Sequence, residues 1–91
     1  MSLASSCLDN VHEILGIKVN PGSEQQLLRT LRKAPEVKAA YISLGEYDII
    51  AFLGIEDLQK LNHFVAENVE ETRCAVDTRT ILVRNGGTHF R

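Results

Sequence analysis

The 91-residue chain contains no tryptophan, two tyrosines, three phenylalanines, two prolines and two cysteines, and each scarcity excludes something. Cys7 and Cys74 stand at unrelated positions, so they make neither a disulfide framework nor a Cys-x-x-Cys metal pair, and both read as structural or incidental. His12, His63 and His89 contribute no His-x-x-x-His pair, so no metal ion or other cofactor is expected. No apolar stretch approaches the roughly 20 residues needed to span a bilayer. Met1–Asn10 lacks the basic and apolar segments of a secretory signal. Neither sign of charge dominates: ten Lys and Arg stand against twelve Asp and Glu, a net charge of −2. Affinity for nucleic acid comes largely from cations on phosphates, so direct nucleic-acid binding is not expected. There is no Gly-x-Ser-x-Gly nucleophile elbow, and Gly86-Gly87 lacks the lysine and the strand–loop–helix setting of a phosphate loop. These absences point to a cytoplasmic protein without membrane contact.

What is present is ordinary globular material, 44% hydrophobic and 24% charged, in a chain long enough for one domain. A domain of this size buries only about 60–65% of its unfolded surface. Without disulfides or metal, self-association is the remaining way to add stability.

Leu15, Ile17 and Val19 alternate with Gly16 and Lys18 within Val11–Val19, which predicts a strand with one buried face, ended by Asn20-Pro21-Gly22. Ser23 then opens a helix, with Gln26 placed for a capping box. Leu27, Leu28 and Leu31 form its inward stripe, Arg29, Arg32 and Lys33 face water, and Pro35 stops it. Val37–Leu44 and Asp48–Leu53 read as two strands joined through Gly45-Glu46-Tyr47. The unbroken apolar run Ile49–Leu53 suits a central strand covered on both faces. Glu56 and Asp57 begin a second helix whose inward side is Leu58, Leu61, Phe64, Val65 and Val69. A last strand covers Val76–Arg84.

The expected fold is therefore α+β: a ferredoxin-like βαββαβ arrangement, with a four-stranded antiparallel sheet and two helices on one face. Its boundaries are a flexible leader over 1–10, the domain over 11–84 and a C-terminal tail over 85–91. The uncovered face, assigned side chains such as Tyr41, Ala51 or Leu53, costs about 25 cal/mol per Å² of apolar area left in water. A second copy packed face to face removes that cost, so a homodimer formed through the sheet face is expected.

Three stretches go beyond fold: Ile17-Lys18-Val19-Asn20-Pro21-Gly22, Leu31-Arg32-Lys33-Ala34-Pro35-Glu36-Val37 and Gly45-Glu46-Tyr47-Asp48-Ile49-Ile50. With Leu61-Asn62-His63-Phe64-Val65 and Val76-Asp77-Thr78-Arg79-Thr80, they resemble, in order and spacing, the C-terminal effector domain of the leucine- and asparagine-responsive regulators, the Lrp/AsnC family. The resemblance implies a ferredoxin-like dimer that assembles further into rings and takes part in transcription regulation. It implies an amino-acid effector held between subunits beside the loop joining the second and third strands. The family's regulators also carry an N-terminal helix-turn-helix domain, and the roughly ten residues before the first strand are too few for one. The likeness is thus to stand-alone sensor members, or to a piece of a longer regulator. Full-length regulators of the same family are possible partners.

A free amino acid needs an acid or carbonyls for its ammonium, donors for its carboxylate and a selective pocket for its side chain. The candidates are Tyr41, Leu44, Gly45, Glu46, Tyr47, Asp48, Thr78 and Thr80. Gly45 would permit close backbone approach, or simply satisfy a turn. Asp48 or Glu46 could receive the ammonium, or Asp48 could accept loop N–H groups. Tyr41 and Tyr47 could wall a pocket, or lie in an interface or the core. Thr78 and Thr80, two apart, share one side of a strand and offer hydroxyls, though strand propensity alone would also place them there. The rival readings are a small dimeric ferredoxin-like enzyme of the monooxygenase or isomerase type, and a purely structural assembly module. The enzyme reading is disfavoured because the inferred interior has no acid–base pair.

Overall fold

A computed structural model describes residues 11–83. The leader and tail boundaries, together with Cys7, Gly86-Gly87 and His89, lie outside the described residues. Four strands and two helices follow in the expected order: β1 (Glu13–Val19), α1 (Glu24–Lys33), β2 (Val37–Ile42), β3 (Ile49–Leu53), α2 (Leu58–Val65) and β4 (Ala75–Leu82). The sheet order is β2-β3-β1-β4 and every neighbouring pair is antiparallel. This is the split βαβ topology, in which each crossover passes over one strand: β3 lies between β1 and β2, and β1 lies between β3 and β4.

Both helices pack on one face. Leu15, Ile17 and Val19 of β1, with Ile49, Ala51 and Leu53 of β3, meet Leu27, Leu28 and Leu31 of α1 and Leu61 and Phe64 of α2 in one buried cluster. Ala51 and Leu53 therefore lie under the helices. The expectation that they line the uncovered face is wrong by one residue of phase, and Ile50 and Phe52 take those positions. Nor is β3 covered on both faces: its burial alternates, because among the described residues no element lies over the second face.

The helix ends differ in detail from expectation. Ser23 occupies the first cap but makes no side-chain hydrogen bond, so the capping box does not form. Glu24 closes the turn instead, its Oε1 accepting from Gly22 N–H at 3.0 Å. Asp57 caps α2 by accepting from Gln59 N–H at 2.8 Å, while Glu56 precedes the helix. Arg32 does not simply face water. Its Nε and Nη2 both donate to the Ala40 carbonyl of β2, at 3.1 and 2.7 Å.

Beyond Val65, α2 widens into a π-helical turn over Ala66–Glu70, closed by Glu71 N–H donating to Ala66 O. A regular α-helix would aim Asn68 inward and swing Val69 aside. The extra residue in the turn corrects the phase, and Val69 is fully buried. Leu58, in contrast, is exposed and drops out of the inward stripe.

Candidate functional site

The candidate site lies at the sheet end where β2 passes to β3. This connection, residues 43–48, is longer than the expected hairpin turn, and hydrogen bonds to β1 hold its base. Ser43 N–H donates to Asp48 O at 2.8 Å and Asp48 N–H donates to Ile17 O at 2.9 Å. The Asp48 Oδ2 accepts from Val19 N–H at 2.8 Å. That last bond has a clear cause. β3 begins at Ile49 and is too short to reach Val19, and the β1–β4 register shifts between Lys18 and Val19. Asp48 thus continues the ladder with a side chain, accepting from a strand N–H of β1 and not from the loop N–H groups expected of a hairpin cap.

Above this base the tip is open. Leu44 is fully exposed, and Gly45 and Glu46 are exposed beside it. Gly45 N–H donates to Ser43 Oγ at 3.1 Å. Gly45 is not in the left-handed region, and a Cβ placed there would touch nothing nearer than Ser43 Oγ at 3.6 Å. Nothing among the described residues requires glycine at this position.

The two tyrosines lie on the uncovered face. Tyr41 is 55% exposed and meets Phe52 edge to face, with ring centroids 6.3 Å apart. Tyr47 folds back over β1. Its ring lies where a side chain on Gly16 would be, so that a Cβ at Gly16 would sit 3.0 Å from Tyr47 Cγ. Around them Ile14, Ile50, Phe52 and Ile81 complete an apolar surface. Thr78 and Thr80 are not part of it. They pair with the buried Ile17 and Leu15, which puts both hydroxyls on the helix side of the sheet. Six of the eight candidates therefore gather at or beside the 43–48 connection, and the two threonines stand apart.

A family model described as the Lrp/AsnC ligand binding domain matches residues 13–85. The chain belongs to the Lrp/AsnC family. A transcriptional regulator of Methanocaldococcus jannaschii, HTH-type Ptr1, is 30% identical over 56 residues, which cover 62% of this chain and 38% of that protein. The chain thus spans well under half the length of this curated relative. A hypothetical protein of Pyrococcus horikoshii has a solved structure similar to this one, with a TM-score of 0.75 and 27% identity, covering 89% of this chain and 98% of that one. A Neisseria meningitidis transcriptional regulator, solved in complex with L-Met, shares the fold with a TM-score of 0.75 at 18% identity, covering 93% of this chain and 56% of that one.

In this Lrp/AsnC domain, two residues of the open face escaped sequence reasoning. Gly16 had a usable signal, since a glycine inside a strand often marks close approach by another group. Arg79 had none of its own: its position opposite Gly16, on the tyrosine side, follows from the β1–β4 register. Two further features lie at the other end of the sheet. An open groove of about 590 Å³ is lined by Glu36, Ile55, Asp57, His63, Phe64 and Glu67 among others, and includes none of the candidates. Beside it Glu13 is 4% exposed, its Oε1 accepting from Ile55 N–H at 3.0 Å. Burial pushes the Glu13 carboxyl above the ordinary carboxylate value, offset in part by that N–H and by nearby His12. Among the described residues no helix is long and apolar enough to cross a membrane.

Proposed function

We propose that this domain senses a free amino acid or a closely related small effector, and does so as a face-to-face homodimer that assembles further. The observation carrying the reading is the open sheet face in a member of the Lrp/AsnC ligand-binding family: Tyr41, Ile50, Phe52 and Ile81 form an apolar surface that no element among the described residues covers. Covering it with a second copy removes apolar area from water and brings two 43–48 connections into a shared interface.

In this reading Leu44, Gly45 and Glu46 contact the effector or the neighbouring subunit. Gly45, which no contact among the described residues requires, leaves room for that approach. Glu46 is the free carboxylate for an effector ammonium, and Asp48 holds the connection in place through Val19 N–H. Tyr47 and Tyr41 wall the pocket. Thr78 and Thr80, on the helix side, are set aside as contacts within one protomer. The complex of the Neisseria regulator with L-Met supports an amino acid as the class of effector. The domain acts on transcription through regulators that carry their own DNA-binding domains, in the cytoplasm.

Thermal-shift measurements against the twenty amino acids test the proposal. A ligand at 100 times its Kd adds about 2.7 kcal/mol of stability, and for a domain of this size each kcal/mol moves Tm by about 4–8 °C. Flat melting temperatures across the whole set would overturn effector sensing while leaving the assembly reading to sedimentation.

A further inference from the structure

The sheet end opposite the 43–48 connection carries the groove of about 590 Å³. α2 supplies most of its lining, and Glu36, just before β2, adds a wall from the strand side. Glu36 is fixed there because its carbonyl accepts from Gly54 N–H at 3.0 Å. The floor is Ile55 and Phe64, both nearly buried, and the walls are charged. Glu36, Glu56, Asp57 and Glu67 bring four carboxylates against Lys60 and His63. The His63 imidazole is already engaged, with Nε2 2.8 Å from the Glu67 carboxylate. A concave surface dominated by one sign of charge concentrates the opposite sign. The groove is suited to a cationic occupant.

The chain itself supplies one. Beyond the described residues it continues Arg84-Asn85-Gly86-Gly87-Thr88-His89-Phe90-Arg91, a segment with two arginines, a histidine, an aromatic ring and no acid. Its starting point is close to the groove. Val83 N–H donates to His12 O at 2.8 Å, and the His12 side chain reaches Glu56 on the groove wall, Nε2 to Oε2 at 3.8 Å. Eight extended residues span at most about 26–29 Å, against roughly 12 Å for the eight-residue α2. We propose that residues 84–91 dock in this groove of their own chain, the arginines answering the carboxylates and Phe90 the apolar floor. The leader departs from the same sheet end, since His12 N–H donates to Leu53 O at 2.8 Å. Residues 1–10, however, include Asp9 and neither lysine nor arginine, so charge selects the C-terminal segment. The contact lies on the helix side, away from the open face, and stands whether or not the domain senses an effector.

Zero-length carbodiimide cross-linking of the full chain, read by mass spectrometry, tests it. The segment has no side-chain amine, so Arg91→Lys supplies one while keeping the charge. Cross-links from position 91 should fall on Glu36, Glu56, Asp57 or Glu67, and in a mixture with isotope-labelled chain they should stay within one chain. Cross-links only to other carboxylates, links joining light and heavy chains, or none at all would overturn the proposal. Links from the amino terminus to the groove acids would seat the leader there instead. Hydrogen exchange gives a second reading without a cross-linker. Arg84→Glu with Arg91→Glu should speed exchange of the amides of residues 85–91 by about fivefold, and high salt should do the same to the wild type, because screening weakens surface ion pairs. Equal exchange in the wild type and the charge-reversed chain rules the docking out.

Discussion

The two faces of this sheet are built from the same strands, one residue out of step, and they do different work. On the helix side Leu15, Ile17, Ile49, Ala51 and Leu53 are all fully buried inside one protomer. On the other side Ile50 and Phe52 are half-buried, and Tyr41 and Ile81 are each 55% exposed. The first face satisfies itself and so carries the stability of the fold. The second is incomplete alone, and there Tyr41 and Tyr47 stand beside the candidate effector loop.

The largest effect should come from breaking the closed face. Leu31→Ala removes a fully buried side chain where α1 meets the sheet and should cost about 2–5 kcal/mol in urea unfolding, a large share of a typical stability of about 5–15 kcal/mol. The matching experiment on the open face should barely touch folding. Phe52→Asp puts a charge where a second copy packs, so particle mass in sedimentation should fall by at least half while the circular dichroism spectrum is kept. An unchanged mass would show that the face is not a contact.

The join between the two regions is tested by Asp48→Ala, which strips the acceptor from Val19 N–H. It should destabilise by about 1–2 kcal/mol, with Asp48→Asn keeping most of the stability because it keeps an acceptor. Gly16→Ala forces Tyr47 off β1 and should cost about 1 kcal/mol. In a Tyr47→Ala background that penalty should vanish, and a double-mutant cycle by thermal unfolding measures the coupling.

The smallest effect concerns Glu13, among the described residues the one charged residue buried on the closed face. Its carboxyl is raised above the unfolded value by burial. The folded state therefore holds the proton more tightly than the unfolded state. The associated stability is fully present below the unfolded value and is lost as pH rises through the folded one. Glu13→Gln keeps an acceptor for Ile55 N–H without the buried charge. It should be slightly more stable than the wild type at neutral pH, with the difference disappearing as the pH falls below the carboxylate range.

Much of this was legible in the residues. The helical stripe of Leu27, Leu28 and Leu31 and the alternation of Leu15, Ile17 and Val19 each have one dominant period, and the structure follows them. Ile49–Leu53 has none: five apolar residues in a row suit either face, so the pattern alone does not put Ala51 and Leu53 under the helices. The threonines illustrate the same limit. Thr78 and Thr80 do share a side, as their spacing requires, but which side depends on pairing with Ile17 and Leu15. A shift of one residue would bring them to the tyrosines and send Arg79 away.

Taken alone, the sequence determined the order of elements, the ends of α1 and the family, because these rest on local periodicity, turn residues and motifs that need no distant partner. Tertiary structure alone decided which side each strand residue faces, why Gly16 must be small, why Val69 needs a π turn to reach the core, and that Asp48 is tied to Val19. All four depend on contacts between residues far apart in the chain. Such contacts are set by strand register and helix phase, and no local pattern encodes them.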